Sequence, residues 1–219
     1  MIASELIAHE IKELNPFDSG DTALQRMEEY LVRHLPVVQD NKLLGLISED
    51  DIMDQDSFAK IATYQNIYKL VAAQPDDHIL ELLGQIATTN LTCLPVVDKD
   101  NNYLGVITLE NLVHSFAANY SLTEPGAIIV LEVPRIDYSM SNISRIVESE
   151  NGVILSSYIS KHPEANMLLI TLKVSLQEIQ YLKASFERYG YTIKGVFTEI
   201  VYVDALQERY ESLMHFLGI

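Results

Sequence analysis

Apolar positions along the chain change period in a fixed order, and that order predicts the elements. After Asp21 and Thr22, apolar side chains at Ala23, Leu24, Met27, Tyr30 and Leu31 recur every three to four residues, which predicts a helix, and Thr22 with Gln25 reads as its capping box. The apolar run Leu35-Pro36-Val37-Val38 then reads as a short buried strand, the polar Gln39 to Lys42 as a tight turn, and Leu43 to Ser48 as a second strand leading into a helix. The same succession follows Pro75, Asp76 and Asp77: helical spacing at Ile79, Leu80, Leu82, Leu83 and Ile86, with acids at the N-terminal end where the helix dipole favours them. A strand at Leu94 to Val97, a turn at Asp98 to Asn102 and a strand at Tyr103 to Thr108 complete it.

The two successions are copies. His34 to Met53 recurs as Cys93 to Val113, offset by 59 residues at the Leu-Pro-Val-Val run and by 60 at the following glycine, with one residue inserted in the turn. From Pro125 the pattern changes to a strand (Ala127 to Val133), helical spacing at Ile143, Ile146 and Val147, strands within 152–160 and 167–174, a helix within 176–190 and a strand within 191–197. That βαββαβ order is ferredoxin-like, two helices covering one face of a four-stranded sheet. Asn151-Gly152 and Gly190 read as helix exits. A last helix is expected from Asp204 to Leu217, with Leu206, Tyr210, Leu213, Met214 and Leu217 on one stripe. The expected division is 1–58, 59–124, 125–203 and a C-terminal helix 204–219.

Each copy ends on a motif with chemical content. Gly45-Leu46-Ile47-Ser48-Glu49-Asp50-Asp51 and Gly105-Val106-Ile107-Thr108-Leu109-Glu110-Asn111 both place a hydroxyl at the last strand position and a short acceptor three residues on, in the first turn of a helix. One reading is helix capping. The other is ribose and phosphate binding: a carboxylate or amide can hold two sugar hydroxyls, while the hydroxyl and the free N–H groups of a helix start accept a phosphate. The two roles do not exclude each other.

With the Leu-Pro-Val-Val run upstream and the same order twice, residues 1 to about 120 resemble a tandem pair of cystathionine-β-synthase-type (CBS) domains. The resemblance implies an α/β (α+β) fold, a pair packed about a pseudo-two-fold axis, and a cleft with two adenosine-ligand sites. It implies Ser48 and Asp51 on phosphate and ribose in one site, Thr108 and Asn111 in the other, and Leu35, Pro36, Ile47, Leu94, Pro95 and Ile107 lining them. It also implies nucleotide sensing rather than catalysis, with an adenine nucleotide or S-adenosylmethionine as regulatory ligand and no required cofactor. Residues 125 to about 197 resemble an ACT regulatory domain by the order of elements, but the turn from Pro134 to Ser139 lacks the glycine usual in ACT domains that bind amino acids. A CBS pair followed by ACT is the order of the acetoin-utilisation regulatory proteins, which the chain resembles as a whole. Apolar helix faces and open strand edges lead us to expect a homodimer; the alternative to ligand sensing is a ligand-independent oligomerisation or scaffold protein, and a protein target is unidentified.

Composition narrows the field. Of 219 residues 31 are acidic and 15 basic, and the first 124 hold 20 acids against 7 bases, so nothing supplies the clustered cations a nucleic acid requires. The longest stretch free of Asp, Glu, Lys and Arg, Leu82 to Val97, is broken by Gln85, Thr88, Thr89, Asn90 and Thr92, so no membrane span is expected, and the N-terminus lacks an export pattern. A single cysteine, Cys93, fits a reducing cytoplasm and reads as a packed thiol ahead of a buried strand. Its counterpart His34 is placed to approach a base edge, while the six histidines show no metal-ligand spacing and the acidic run at Glu49, Asp50, Asp51, Asp54 and Asp56 no EF-hand spacing. No catalytic motif is present.

Overall fold

The computed structural model describes residues 1–164, 166–198 and Met214. The expected C-terminal helix lies outside the described residues except for Met214, which is helical. The chain forms two units, Met1–Phe116 and Ala117–Ile219.

From the N-terminus, α1 (Gly20–Glu29), β1 (His34–Gln39), β2 (Lys42–Ser48) and α2 (Glu49–Met53) are followed by α3 (Ile79–Thr89), β3 (Cys93–Val97), β4 (Tyr103–Thr108) and α4 (Leu109–Asn119), which runs through the boundary at Phe116. The expected capping box at Thr22 is replaced by a cap one turn earlier. Ser19 is the N-cap, its Oγ accepting the Thr22 N–H at 3.1 Å, and Gln25 instead donates to Asp21 Oδ2 at 2.9 Å. The reason is competition: with Ser19 before Gly20, the cap oxygen nearest the orphan N–H groups is not that of Thr22. α3 is capped by His78 and Glu81 in a box, and Asp77 accepts instead from the Gln74 N–H at 2.8 Å.

Both hairpins are antiparallel and carry a bulge at the same place, Val37/Val38 and Val96/Val97. The first turn places Asp40 and Asn41 at φ 50° and 61°, a conformation short polar side chains tolerate. The lead-in to each repeat crosses over. Ala8 donates to Val106 O in the second repeat before Leu14 pairs with Val37 in its own; likewise Lys69 pairs with Leu46 in the first repeat before Ala73 pairs with Val96. This exchange explains the two motif glycines. At Gly45 an added Cβ would lie 2.8 Å from Tyr68 Cβ, and at Gly105 it would lie 2.3 Å from Ile7 Cγ2, where the foreign lead-in passes over the strand. A single apolar cluster joins Leu35, Ile47 and Ile52 to Leu94, Ile107 and Leu112, so the two repeats share one core.

In the second unit β5 (Ala127–Pro134), α5 (Met140–Ser149), β6 (Ile154–Lys161), β7 (Met167–Val174), α6 (Gln180–Arg188) and β8 (Thr192–Thr198) form an antiparallel sheet in the order β6-β7-β5-β8. This is the ferredoxin-like βαββαβ arrangement expected. Alternate β5 residues Ala127, Ile129, Leu131 and Val133 are buried with Ile170, Leu172 and Val174 of β7 against Ile143, Val147, Leu182 and Phe186 of the helices. Leaving α5, Asn151 takes φ 60° and the Gly152 N–H returns to Val147 O at 3.0 Å, the exit expected there.

Candidate functional site

Strand ends and helix starts meet twice in the first unit. Ser48 closes β2 and Thr108 closes β4, 6% and 7% exposed, each one residue before a helix. Ile47 and Ile107, Leu35 and Leu94 sit wholly inside the shared core, and Pro36 and Pro95 are buried in the first strand of each repeat. These six therefore build the wall rather than a reactive surface. The polar members of each motif are more open: Asp51 and Asn111 are half-buried.

In the first motif the hydroxyl is fully engaged. Ser48 Oγ donates to Asp51 Oδ2 at 2.5 Å and accepts the Asp51 N–H at 3.1 Å, while the Ser48 N–H also reaches Oδ2 at 3.1 Å. Capping is thus realised in full, and it uses only one oxygen of the carboxylate; Asp51 Oδ1 has no partner among the described residues. In the second motif Thr108 Oγ1 accepts the Asn111 N–H at 3.0 Å, and the Asn111 amide has no partner among the described residues. An acceptor oxygen there can hold a diol hydroxyl, and the Asn111 NH₂ can donate as well, but without an ionic contribution.

The position preceding each first strand sets the electrostatics. Arg33, ahead of β1, is held by Glu49 (Nε to Oε2, 3.2 Å) and Asp50 (Nη2 to Oδ1, 2.9 Å), and these carboxylates raise its pKa further. Thr92 is its counterpart ahead of β3, 59 residues on. Thr92 Oγ1 accepts the Arg33 N–H at 2.8 Å and lies 3.1 Å from His34 Nδ1, which also accepts the Thr92 N–H at 3.4 Å. With Nδ1 accepting, the His34 ring is neutral and carries its proton on Nε2. Burial lowers the His34 pKa, helped by Lys69 and Arg33.

The same contacts tie the two motifs together. Glu49, first residue of α2, donates its N–H to Arg33 O at 2.9 Å, and Leu109, first residue of α4, donates to Thr92 O at 3.0 Å. The run from Glu49 through Arg33 and Thr92 to Leu109 is a continuous hydrogen-bonded bridge between the helix starts. Sequence reading missed Arg33 and Thr92; the signal was their shared repeat position, one residue before His34 and Cys93.

His34 is enclosed at 7% exposure and bonded to Thr92, so its Nδ1 edge is committed inside the pair. Cys93 is the packed thiol expected: fully buried, donating to His34 O at 3.0 Å, its pKa pushed up to about 12 by burial. A cavity of about 370 Å³ lies beside the second motif, lined by Thr92, Thr108, Leu109, Glu110, Val113 and His114 with Tyr30, Leu31 and Val32 of the turn after α1. Another of about 560 Å³ lies between α1 and α2, with Arg33, Glu49, Leu31 and Met53 among its lining residues. Among the described residues no cluster of three or more His, Cys, Asp or Glu could hold a metal, and no helix is long and apolar enough to cross a membrane.

Known proteins sort this arrangement. Homoserine O-acetyltransferase of Methanohalobium evestigatum is 31% identical over 115 residues, half of this chain but only 23% of that enzyme. Among solved structures, a CBS domain pair/ACT domain protein of Thermotoga maritima aligns over 54% of this chain and 98% of its own at 18% identity and a TM-score of 0.48. CBSX2, solved in complex with AMP, aligns over 53% of this chain and 96% of its own at 22% identity and a TM-score of 0.47. Residues 3–57 and 66–118 each match the CBS domain, the copies the hairpins and motifs delineate, and the chain belongs to the CBS domain family as a tandem pair.

Proposed function

We propose that the CBS pair is a regulatory sensor for an adenosine-containing small molecule, and that occupancy alters how the chain assembles or meets a partner. The observation that carries this reading is the free Oδ1 of Asp51 beside a helix start, repeated with Asn111 in the second motif. Ser48, Asp51, Thr108 and Asn111 are the contacting residues in this reading, with Leu35, Pro36, Ile47, Leu94, Pro95 and Ile107 as the supporting wall. The acidity of the first 124 residues favours adenosine, AMP or S-adenosylmethionine over magnesium-free ATP, since a triphosphate meets a repulsive field. The division at 58, 124 and 203 is our domain assignment, and cytoplasmic residence accompanies it.

Mass spectrometry of small molecules released from the purified, denatured protein tests the reading, together with thermal shift against adenosine compounds. An adenosine species in the released fraction, or a raised melting temperature with one of them, supports it. One observation favours the scaffold alternative: Ser48 and Asp51 satisfy one another as a complete capping box. A melting temperature unchanged across the panel, with a stable oligomer, would establish that alternative instead. Met53 of α2 and Val113 of α4 are exposed at 67% and 54%, with Leu31 at 86% in the turn after α1, which supports a homodimer of the 24.7 kDa chain.

A further inference from the structure

Four Lys or Arg side chains pair with a carboxylate among the described residues. Arg26 meets Asp18, Arg33 meets Glu49 and Asp50, Lys194 meets Glu132, and Lys183 meets Glu187. Arg135 and Lys161, like Lys12, Lys69, Lys99 and Lys173, have no side-chain hydrogen-bond or ion-pair partner among the described residues. Arg135 and Lys161 converge on one cavity of about 310 Å³ in the second unit, together with Tyr138, Ile159, Ser160 and Leu168. Three other cavities among the described residues each include a carboxylate in their lining, and this one includes none.

The backbone holds these residues in place. Lys161 and Leu168 are opposite partners across β6 and β7, and Pro134 is opposite Met167 across β5 and β7. The Arg135 N–H donates to Asn166 O at 2.8 Å, tying the turn after β5 to the hairpin between β6 and β7. Arg135 and Lys161 thus flank the start of β7 from two strands, while Leu168, 8% exposed, forms an apolar floor.

We propose that this cavity binds a small organic anion with an apolar body, its carboxylate held by Arg135 and Lys161 with the hydroxyl of Tyr138 as a further donor. A guanidinium and an ammonium on one side match a carboxylate, and Ile159, Leu168 and the Tyr138 ring match a short hydrocarbon. The volume is roughly ten water molecules, room for an acid of that size. The missing carboxylate decides the class. A free amino acid would bring its ammonium group beside two cations with no anion to meet it, so the site selects against zwitterions.

The test uses the full chain and two probes of one shape: 4-methylpentanoate, and leucine, which adds only the ammonium group. Titration followed by ¹H–¹⁵N spectra should give saturable shifts confined to 135–138 and 159–168 with 4-methylpentanoate, and at least tenfold weaker binding of leucine. Arg135→Gln with Lys161→Gln should weaken 4-methylpentanoate at least tenfold; both residues are exposed, and unchanged dispersion elsewhere in the spectrum confirms the fold. No saturable shift up to roughly 20 mM probe, equal binding of leucine, or full affinity in the double variant would each overturn the assignment.

Discussion

The two repeats share a backbone and differ in chemistry at the ends of their motifs. Strand registers, bulges and the crossed lead-ins match, yet the first motif ends in Glu49, Asp50 and Asp51 with Arg33 clamped across them, and the second in Leu109, Glu110 and Asn111 with Thr92 opposite. Its helix differs too: α2 has 5 residues and α4 has 11. The scaffold is therefore set by the apolar run and the glycine, which are common to both copies, and the residues that follow each strand end are free to diverge. One motif offers a carboxylate oxygen within an ion-paired rim; the other offers a neutral amide near an open cavity.

The shared part should be the costliest to break. Gly105→Ala and Gly45→Ala each push a Cβ into the crossing lead-in from a backbone at φ 147° and 149°, and each should destabilise the pair by about 2–4 kcal/mol in urea denaturation. Loss in only one of them would show that the crossover matters to one repeat alone. The caps come next. Ser48→Ala removes the hydroxyl that both accepts from Asp51 N–H and donates to its carboxylate, and should cost about 1–2 kcal/mol. Thr108→Ala loses one cap bond and should cost about 1 kcal/mol by the same assay.

Much of this was legible in the sequence where the determinants are local. The hairpins followed from Leu-Pro-Val-Val runs and Asp/Asn turns, the motif glycines from the repeat, and the Ser48 cap from S-x-x-D spacing. The crossover was not legible, because Ala8 finds Val106 and Lys69 finds Leu46 only once both repeats have folded. The same is true of the Arg33–Thr92 bridge, which joins side chain and backbone 59 positions apart. The α1 cap was misplaced because two hydroxyls, Ser19 and Thr22, compete at one helix start.

A smaller effect separates His34 from its counterpart Cys93. Burial favours the neutral imidazole, so the stability it supports is present above about pH 6.5 and is lost as pH falls below that towards its lowered folded pKa. Between about pH 7.5 and about pH 5 the melting temperature of the natural protein should fall further than that of His34→Cys. Equal falls would place the titration elsewhere. Cys93, with its thiol at about 12, should resist iodoacetamide in the folded protein near neutral pH and react once urea unfolds it, as mass spectrometry would show. Least of all should Arg33→Gln matter to stability: its ion pairs are exposed, so melting should be unchanged.

The central claim is that the motif acceptors hold an adenosine ligand, and calorimetric titration of the full chain with AMP and with S-adenosylmethionine tests it most directly. The account predicts saturable binding of at least one of them, weakened by about 1.5–3 kcal/mol in Asp51→Ala, the range of a hydrogen bond to a charged group, and by about 0.5–1.5 kcal/mol in Asn111→Ala, the range of a neutral one. No binding of either compound, or affinity unaltered in both variants and in their combination, would contradict it and leave Ser48, Asp51, Thr108 and Asn111 as helix caps.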